Sequence, residues 1–381
     1  MLIWLLATAS FGLLLLHPYT TYPLSLVLVR RLTGEQPIRP VARSTPHTID
    51  LVFCAYNEAA FIEKKIENCL AIAARYPQVR VHVFSDGSTD ATVEIGARYA
   101  DQLRFVASER RVGKSSGMNT LLAGCRGEIT VFTDANVLLD VEGFACLDRY
   151  FSDPAIGCVC GHLIYVNPAE SSTAAVGSTY WRLEEKIKEL EVSTGSTMGA
   201  DGSIFAIRRA LFREVPHDII DDYFTSFSIL CDGKRVGRAP ELRAYERGAK
   251  ERSEEFRRKM RIACRSFNAH RLMWPRLCRL PALDLYKYVS HKLLRWFSVV
   301  WLLFASLSGL ALAHTLGLLP VAIVLAVLGA LVVLIGAQWG GNRALQAVLD
   351  ILTAYVATGY GIWRSLRGER FQIWEAAVTT R

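Results

Sequence analysis

The sequence predicts an α/β domain with a mostly parallel sheet, flanked by transmembrane and interfacial helices. Three observations carry this prediction. Two long segments without charged residues lie towards the ends of the chain, short apolar runs alternate with helical patterns between them, and polar clusters follow the apolar runs. Of the 381 residues, 51% are hydrophobic and 21% are charged. This composition is too apolar for one soluble domain and too charged for a purely membrane-embedded bundle, so we expect a partitioned chain.

The apolar segment at the N-terminus covers residues 1–29 and contains no Asp, Glu, Lys or Arg, and Arg30 and Arg31 follow it directly. A cleaved signal peptide carries its positive charges before the apolar run, so we expect an uncleaved transmembrane anchor over residues 1–30. By the positive-inside rule, the two arginines place the following domain in the cytoplasm. The net charge of +8 suits a protein that lies beside anionic lipid and handles anionic substrates, and no basic-aromatic signature for nucleic acid accompanies it.

Short β-branched runs alternate with helical patterns in the first half of the central region, residues 40–250. Strands are predicted at 49–54, 79–85, 103–107 and 128–133, and helices between them at 58–75, 89–100 and 115–122. Such a βαβα succession produces a parallel sheet with helices on both faces. Ligands of these sheets bind beyond the carboxyl ends of the strands, and this rule identifies the residues that should carry function.

Polar clusters follow three of the predicted strands. They are Ala55-Tyr56-Asn57-Glu58, Asp86-Gly87-Ser88-Thr89-Asp90 and Asp134-Ala135-Asn136. Any one of them is equally well explained as a turn or a helix cap. Three clusters in successive units indicate a shared binding site at one edge of the sheet.

The region after the central domain combines a basic segment with a second uncharged one. We expect basic amphipathic interfacial helices over residues 251–290. Residues 296–342 contain no charged residue and are long enough for two crossings of about 20 residues each, so a transmembrane hairpin is predicted over 291–342. His291 and Arg295 lie one helical turn apart at its start and are interpreted as interfacial anchor residues.

The final segment, residues 343–381, is predicted as an interfacial or transmembrane helix followed by a cytosolic tail. Its apolar stretch contains Asp350, and a carboxylate in the middle of a bilayer costs about 2.5 kcal/mol or more. A crossing would also move Arg364, Arg367 and Arg370 to the outer side, against the positive-inside rule. An interfacial or protein-packed helix is therefore favoured over a further crossing.

The polar motifs follow one another in a characteristic order. They are Ala55-Tyr56-Asn57-Glu58, Ser85-Asp86-Gly87-Ser88-Thr89-Asp90, Gly113-Lys114, Thr133-Asp134-Ala135-Asn136, Gly199-Ala200-Asp201-Gly202, Asp221-Asp222, Arg257-Arg258-Lys259-Met260-Arg261, His291-Lys292-Leu293-Leu294-Arg295-Trp296, and the terminal Trp374 and Arg381. In this order and spacing, the sequence resembles the family 2 glycosyltransferases, and more narrowly their membrane-integrated members related to hyaluronan, cellulose and poly-N-acetylglucosamine synthases. Each motif is weak alone, but the ordered set extends over nearly the whole chain.

The resemblance implies a GT-A type nucleotide-sugar-binding domain. The residues that it assigns to the nucleotide-sugar are Ala55, Tyr56, Glu58, Asp86, Lys114, Asp134 and Asn136. Within this set, Asp134 and Asn136 occupy the family's Asp-x-Asp position, which also binds a divalent metal, magnesium or manganese. Asn136 departs from that pattern because an amide oxygen is neutral, so we expect the metal to depend more on Asp134, on the diphosphate and on one further residue.

The resemblance also implies a catalytic pair. Asp222 matches the family's general base and Asp221 precedes it, and a base opposite the leaving nucleotide gives a single displacement with inversion at the anomeric carbon. Two adjacent buried carboxylates also raise one another's pKa, which suits a base that works near neutrality. A second interpretation, compatible with the first, is that the pair caps a helix over residues 223–231.

The acceptor side is where the sequence departs most from the family. The resemblance places Asp201 at the acceptor and Arg258, Arg261 and Trp374 at the acceptor or its phosphate. Processive synthases carry Gln-x-x-Arg-Trp at 258–262, whereas this chain has Arg258 and Ile262 in place of Gln and Trp. That change leaves polymer extension open. Residues 251–265 are equally well explained as a cationic amphipathic helix on anionic lipid.

These features together predict an inverting transferase that moves a sugar from a nucleotide diphosphate, with UDP favoured, to a polysaccharide or lipid-linked acceptor. The reaction is placed at the cytoplasmic face of the inner membrane, in exopolysaccharide or cell-surface glycan synthesis, with other export subunits as partners. One alternative is a single transfer to a polyprenyl-phosphate-linked acceptor. A second is a non-catalytic membrane-anchored nucleotide-binding protein, but residues 54–58 lack the Gly-x-Gly-x-x-Gly turn that a dinucleotide site needs.

Overall fold

An eight-stranded sheet lies at the centre of the computed structural model, which describes residues 1–167, 172–247, 251–338 and 342–371. Its strands are β1 (Ile49–Ala55), β2 (Val79–Asp86), β3 (Arg104–Ser108), β4 (Ile129–Asp134), β5 (Leu138–Leu139), β6 (Ile156–Tyr165), β7 (Ile204–Arg208) and β8 (Arg235–Glu246). The spatial order is β3-β2-β1-β4-β7-β6-β8-β5. The pairs β1–β2, β1–β4, β2–β3 and β6–β8 are parallel, whereas β4–β7, β6–β7 and β5–β8 are antiparallel. The predicted α/β class with a mostly parallel sheet is confirmed.

Helices cover both faces of this sheet. Between its strands in the sequence, the chain forms α3 (Ile62–Arg75), α4 (Thr92–Ala97), α5 (Lys114–Gly124), α6 (Cys146–Phe151), α7 (Ser172–Ser193) and α8 (Asp221–Cys231). Alternate residues of one strand enter two separate apolar clusters, Leu51 and Phe53 in one and Val52 in the other. A strand that is apolar on both faces is typical of a sheet covered by helices on each side.

The four strands and three helices predicted for the first half are present, but two helices begin later than expected. Helix α3 begins at Ile62 rather than at residue 58, because Asn57 has a positive φ of 52° and the backbone N–H of Glu58 donates to Thr92 Oγ1 at 2.8 Å. Helix α4 begins at Thr92, where Asp90 Oδ1 accepts the backbone N–H at 3.0 Å. The intervening residues form the loops of the candidate site.

The N-terminal segment is two helices rather than one. Helix α1 (Leu2–Leu16) and helix α2 (Thr21–Thr33) are separated by a 3₁₀ turn at His17–Tyr19. Pro18 has no backbone N–H to continue the α-helical pattern, and His17 Nε2 lies 3.0 Å from Ser290 Oγ on a distant helix. The span of residues 1–30, predicted as one anchor, therefore consists of an apolar helix followed by a helix that packs on α7.

The C-terminal part is helical. It contains α9 (Arg252–Leu277), α10 (Ala282–Tyr288), a π-helical turn at Val289–Leu293, α11 (Leu294–Trp296), α12 (Ser298–Thr315), α13 (Leu319–Gln338) and α14 (Arg343–Leu366). In the described part of the chain, four helices are long and apolar enough to cross a membrane: Leu2–Tyr19, Ser298–Thr315, Leu319–Gly336 and Ala344–Leu366. Helix α12 packs against α1, with Thr8 Oγ1 donating to Ser308 Oγ at 3.1 Å.

The interpretation of His291 and Arg295 as interfacial anchors is wrong. His291 has no exposed surface, and its two ring nitrogens lie 2.6 Å from Glu191 Oε1 and from Glu184 Oε1. Arg295 is paired with the second oxygen of Glu184. Both residues are held inside the protein by carboxylates of α7, about 100 residues earlier in the chain, which local spacing does not reveal.

Candidate active site

The three polar clusters meet at one edge of the sheet, as the parallel pairing requires. Ala55 is in register with Ser85, and Cys54 is in register with Asp134, so β1, β2 and β4 end side by side. The loops after β1 and β2 are hydrogen-bonded to each other, since Asn57 Oδ1 accepts the backbone N–H of Thr89 at 2.8 Å. This edge of the sheet is the candidate active site.

Asp86 organises the loop that leads into α5. The carboxylate is fully buried and accepts the backbone N–H groups of Val112 and Gly113 at 2.7 and 3.1 Å. The same loop carries Arg111, whose guanidinium lies 3.5 Å from the centroid of the Tyr56 ring and 3.9 Å from Asp86. Asp86 therefore positions this loop, and the stacked Tyr56 and Arg111 form a flat surface beside it.

Lys114, the first residue of α5, connects two parts of the site. Its ammonium group lies 2.8 Å from Asp134 Oδ1 and 3.1 Å from Asp221 Oδ2. Burial would lower the pKa of Lys114, but the charges of Asp134 and Asp221 raise it, so the lysine is positively charged. One cation thus joins the strand-end carboxylate to the acidic pair on α8.

Asp221 and Asp222 form the first turn of α8, whose N-cap residue is Ile220, and Asp222 Oδ1 accepts the backbone N–H of Tyr223 at 2.6 Å. Burial raises the pKa of Asp222 to about 7, together with the negative charge of Asp221. Burial alone would also raise the pKa of Asp221, but Lys114 and Arg265 lower it below its ordinary value. The pKa values of the two carboxyl groups therefore differ in opposite directions from the ordinary value. Asp221 is ionised, and Asp222 can take up a proton near neutrality.

The backbone of the Gly199–Gly202 motif approaches Asp222 closely. A Cβ added at Gly202 would lie 3.1 Å from Asp222 Oδ2 and 3.6 Å from Lys114 Nζ. The preceding Ala200 donates its N–H to Ser226 Oγ on α8 at 3.2 Å. The loop is thus fixed directly against the acidic pair, and any side chain at position 202 would crowd the carboxylate.

Asn136 faces a residue that the sequence interpretation missed. Its amide Nδ2 donates to Glu246 Oε1 at 2.9 Å, at the end of β8. Burial and the charge of Asp134 raise the pKa of Glu246 to about 7 against the opposing effect of Arg258. No strand is predicted from the sequence at 235–246, so the position of Glu246 at a strand end gave no signal. Its proximity to Asn136 depends on pairing between distant strands.

This donor set suits a hard divalent cation. Asp134, Asn136 and Glu246 together offer carboxylate and amide oxygens, the ligand types that magnesium and manganese prefer. With the Nδ2 of Asn136 bonded to Glu246, its Oδ1 is left for a ligand. Glu246 is therefore the residue that best fits the further contribution expected after the change from Asp to Asn at position 136.

A second group of metal-binding residue types lies elsewhere. Asp50, His82 and Cys125 are buried together near the amino end of β1, away from the carboxyl ends of the strands. Asp50 already accepts hydrogen bonds from the backbone of Arg126 and Gly127, and His82 Nε2 lies 2.9 Å from Asp50. These contacts form a hydrogen-bonded cluster that joins β1, β2 and the segment between α5 and β4, separate from the candidate active site.

Arg265 is a further residue that the sequence interpretation did not single out. It lies on α9, is 8% exposed, and its Nη2 donates to Ser115 Oγ at 3.2 Å and to Ile219 O at 2.8 Å. Its charge lowers the pKa of Asp221. The α9 helix therefore reaches the acidic pair through Arg265, one turn beyond the predicted Arg261.

The predicted acceptor residues are only partly brought to this edge. Asp201 precedes Gly202 in the loop against Asp222. Arg258 forms two hydrogen bonds with Glu255 of its own helix, at 2.8 and 3.0 Å, and lies close enough to Glu246 for their charges to interact. Arg261 is on the same helix, and Ile262 is 39% exposed. Trp374 and Arg381 lie outside the described residues.

Comparison with known proteins gives a consistent result. Residues 50–216 match the family model described as glycosyl transferase family 2. An N-acetylglucosaminyltransferase of Rhizobium meliloti (strain 1021) is 25% identical over 256 residues, which cover 62% of this chain and 59% of the relative. A poly-β-1,6-N-acetyl-D-glucosamine synthase of Staphylococcus aureus (strain COL) is 22% identical over 199 residues, 50% of this chain and 48% of the relative. The chain thus spans about half the length of these two curated relatives.

Among solved structures, a mannosyltransferase from Pyrobaculum calidifontis in complex with GDP-mannose and Mn²⁺ has a similar fold. The TM-score is 0.73 at 22% sequence identity, and the match covers 95% of this chain and 99% of that one. The likeness therefore includes the helices outside the sheet domain as well as the sheet itself.

Proposed function

We propose that this chain, a glycosyltransferase with a GT-A-like fold, transfers a sugar from a nucleotide diphosphate with inversion of configuration. Residues 50–216 match the model of glycosyl transferase family 2. The family resemblance inferred from the sequence motifs is confirmed by the match. The reaction is placed at the cytoplasmic face of a membrane, and its acceptor is a glycan or a lipid-linked glycan.

The observation that carries this proposal is the arrangement of Asp222 beside Asp221 and Lys114. Asp222 is the carboxyl group whose pKa is raised to about 7, and it faces the loop at Gly202, where an acceptor has to approach. Such a group accepts the proton of an acceptor hydroxyl as the oxygen attacks the anomeric carbon. Asp221 stays ionised and holds Lys114, which fixes the geometry around the base.

The donor is assigned to the edge formed by β1, β2 and β4. Ala55, Tyr56 and Glu58 follow β1, and the Tyr56 ring with the stacked Arg111 offers a flat surface suited to a nucleobase. Lys114 supplies positive charge for the diphosphate. Asp134 and Asn136, whose amide donates to Glu246, would hold a magnesium or manganese ion, and this ion would supply further positive charge for the diphosphate.

N-acetylglucosamine is the first sugar to test. It is the sugar in the names of both curated relatives, and this agrees with the preference for a UDP-sugar. Mannose carried by GDP is the competing donor, because a mannosyltransferase with GDP-mannose has a similar fold over the whole chain.

Single transfer to a lipid-linked acceptor is a second candidate function, and one observation favours it. Arg258, which stands where processive synthases carry Gln, is bonded to Glu255, and Ile262 stands where they carry Trp. An arginine here attracts phosphate. In the first candidate, extension of an exopolysaccharide, other export subunits would be partners of this chain.

Helix α14 is assigned to the membrane surface rather than to a crossing. Three contacts, at successive positions along the helix, attach it to α9. Asp350 pairs with Arg252, and Gly361 lies against the backbone of Met260. Ser365 Oγ donates to Asn268 at 2.6 Å. A helix bound to α9 over this length runs beside the segment 251–290, for which interfacial helices are predicted. The C-terminus then lies on the cytoplasmic side of the inner membrane, as the parity of one anchor and one hairpin requires.

One assay tests the function. The protein, purified in detergent, is given UDP- and GDP-sugars with magnesium or manganese, and transfer to undecaprenyl phosphate and to an N-acetylglucosamine oligosaccharide is measured. We expect Asp222→Asn to abolish transfer while leaving nucleotide binding intact. Failure to bind or turn over any nucleotide sugar contradicts the proposal, and the length of the product separates repeated extension from single transfer.

A further inference from the structure

Helix α7 has a charged face that is buried between the membrane-proximal helices and the loop against the base. Glu184, Lys188 and Glu191 follow at helical spacing, and they are 4%, 1% and 0% exposed. Buried charges are costly unless each is paired and hydrogen-bonded. The partners of these three residues therefore reveal what the face connects.

Lys188 binds the predicted acceptor residue. Its ammonium group pairs with Asp201 Oδ2 and, at 2.9 Å, with Glu185 Oε1. Asp201 also accepts from the Cys160 thiol at 3.4 Å. Because Asp201 directly precedes Gly202, Lys188 fixes a carboxylate next to the point where the loop meets Asp222.

Glu191 holds the beginning of the same loop. Its Oε2 accepts the backbone N–H of Met198 and the hydroxyl of Thr197, both at 2.9 Å. Its other oxygen accepts the hydroxyl of Tyr22 on α2 and lies 2.6 Å from His291 Nδ1. One buried carboxylate thus joins three segments: the helix that follows the N-terminal apolar span, the turn before the hairpin, and the loop at 197–202.

The charged face continues to the start of the hairpin. His291 lies in the π-helical turn, and its Nε2 is hydrogen-bonded to Glu184. Arg295 pairs with the same glutamate. Lys287, on α10, donates to three carbonyl groups at and after the end of α7, at 3.1 to 3.3 Å. The loop is therefore braced from the membrane side by contacts from both terminal regions of the chain.

We propose that Lys188 and Glu191 are positioning residues for the acceptor, and this proposal rests on the proposed function. Lys188 holds the Asp201 carboxylate so that it accepts a hydrogen bond from a sugar hydroxyl of the acceptor beside Asp222. Glu191 hydrogen-bonds the loop, α2 and the turn at His291, so the loop that binds the acceptor is held at a fixed distance from the membrane helices.

Lys188→Met tests the first part, because it removes the charge and keeps the length of the side chain. With UDP-N-acetylglucosamine as donor and a β-linked N-acetylglucosamine tetrasaccharide as acceptor, we expect kcat/KM for the acceptor to fall about 100-fold, mainly through KM. Binding of UDP, measured by calorimetry, should change less than twofold. Lys186→Met is the matched control, since Lys186 lies on the same helix with 66% of its side chain exposed.

A purely structural role predicts a different pattern. It would lower UDP binding, donor KM and acceptor KM together, and Lys188→Arg would not restore acceptor KM, whereas positioning predicts at least tenfold recovery in that variant. If Lys188→Met and the wild type have the same acceptor KM, the proposal is overturned. Asp201→Asn combined with Lys188→Met should add little to either single change, because both act on one contact.

Hydrogen exchange gives a readout that does not depend on finding the acceptor. In Lys188→Met, amides at 197–202 should exchange faster, while those at 112–114 keep the wild-type rate. Tyr22→Phe should lower acceptor kcat/KM about fivefold through the same loop. Unchanged exchange at 197–202 refutes the positioning role even if no transfer is detected. Absence of UDP and GDP binding in the wild type instead refutes the proposed function.

Discussion

The ionisation of Asp222 gives a direct test of the catalytic assignment. Its carboxyl group is faced by Asp221 on its own helix, by Lys114 of α5, by Asp201 of the neighbouring loop and by Arg265 of α9. Burial and then the charge of Asp221 raise its pKa to about 7, while Lys114 opposes the rise. Because a general base has to be ionised, transfer should fall as the pH drops through this value.

The size of the effect follows from that pKa. With a value of about 7, roughly 9% of Asp222 is ionised at pH 6 and roughly 91% at pH 8, so kcat/KM should rise about tenfold between these two pH values. A tenfold difference corresponds to about 1.4 kcal/mol in the barrier. The profile should reach a plateau above pH 8 on this side.

Asp221→Asn provides the discriminating variant. It removes the negative charge that raises the pKa of Asp222 and keeps Lys114, which lowers that pKa, so the acid limb should move to lower pH by roughly one unit or more. The measurement is kcat/KM for the donor from pH 5 to 9 in buffers of constant ionic strength, with the exposed Asp101→Asn as control. A profile that is flat over this range, or an acid limb that stays in place in Asp221→Asn, would refute the assignment of Asp222 as base.

Three further substitutions test other parts of the site. Glu246→Gln removes a charge beside the metal ligands and should weaken Mn²⁺ binding in the presence of UDP about tenfold, measured by electron paramagnetic resonance, whereas unchanged affinity would argue against its role. Gly202→Ala places a methyl group 3.1 Å from Asp222 Oδ2 and should lower kcat about tenfold with a shift in Tm below 2 °C; wild-type kcat would show that the approach is not tight. Asp350→Asn leaves Arg252 without its carboxylate and should destabilise the detergent-solubilised protein by about 1–3 kcal/mol in denaturant unfolding; an unchanged midpoint would contradict the α9–α14 attachment.

The first half of the sheet could be predicted because its signals are local. Each of β1 to β4 is a short segment rich in apolar residues, either continuous or alternating with polar ones. Parallel pairing of β1 with β2 and β4 then brings residues such as Asp86 and Asp134 to the same edge. The boundaries of α3 and α4 were less accurate. Side-chain contacts between the two loops, such as Glu58 with Thr92, remove the first residues from each helix.

The remaining parts of the site depend on contacts between distant residues. Asn136 contacts Glu246 only because β5 pairs with β8. Similarly, β4 pairs with β7 in antiparallel orientation although β6 and α7 lie between them in the sequence. His291 is buried only because α7 provides two glutamates. Lys188 gave no signal at all, since a lysine in a charged helix is usually solvated.

The two departures from the family pattern meet at one residue. The sequence has Asn where the family carries the second Asp of Asp-x-Asp, and Arg258 where processive synthases carry Gln. In the structure, Asn136 donates to Glu246, and the charges of Arg258 and Glu246 act on each other. An aspartate at position 136 would repel Glu246, whereas the amide donates to it and the guanidinium offsets its charge. Both departures therefore place a favourable partner beside the Glu246 carboxyl group. We therefore expect Glu246→Gln to change both Mn²⁺ affinity and the KM for the acceptor, and an effect on only one of them would contradict this reasoning.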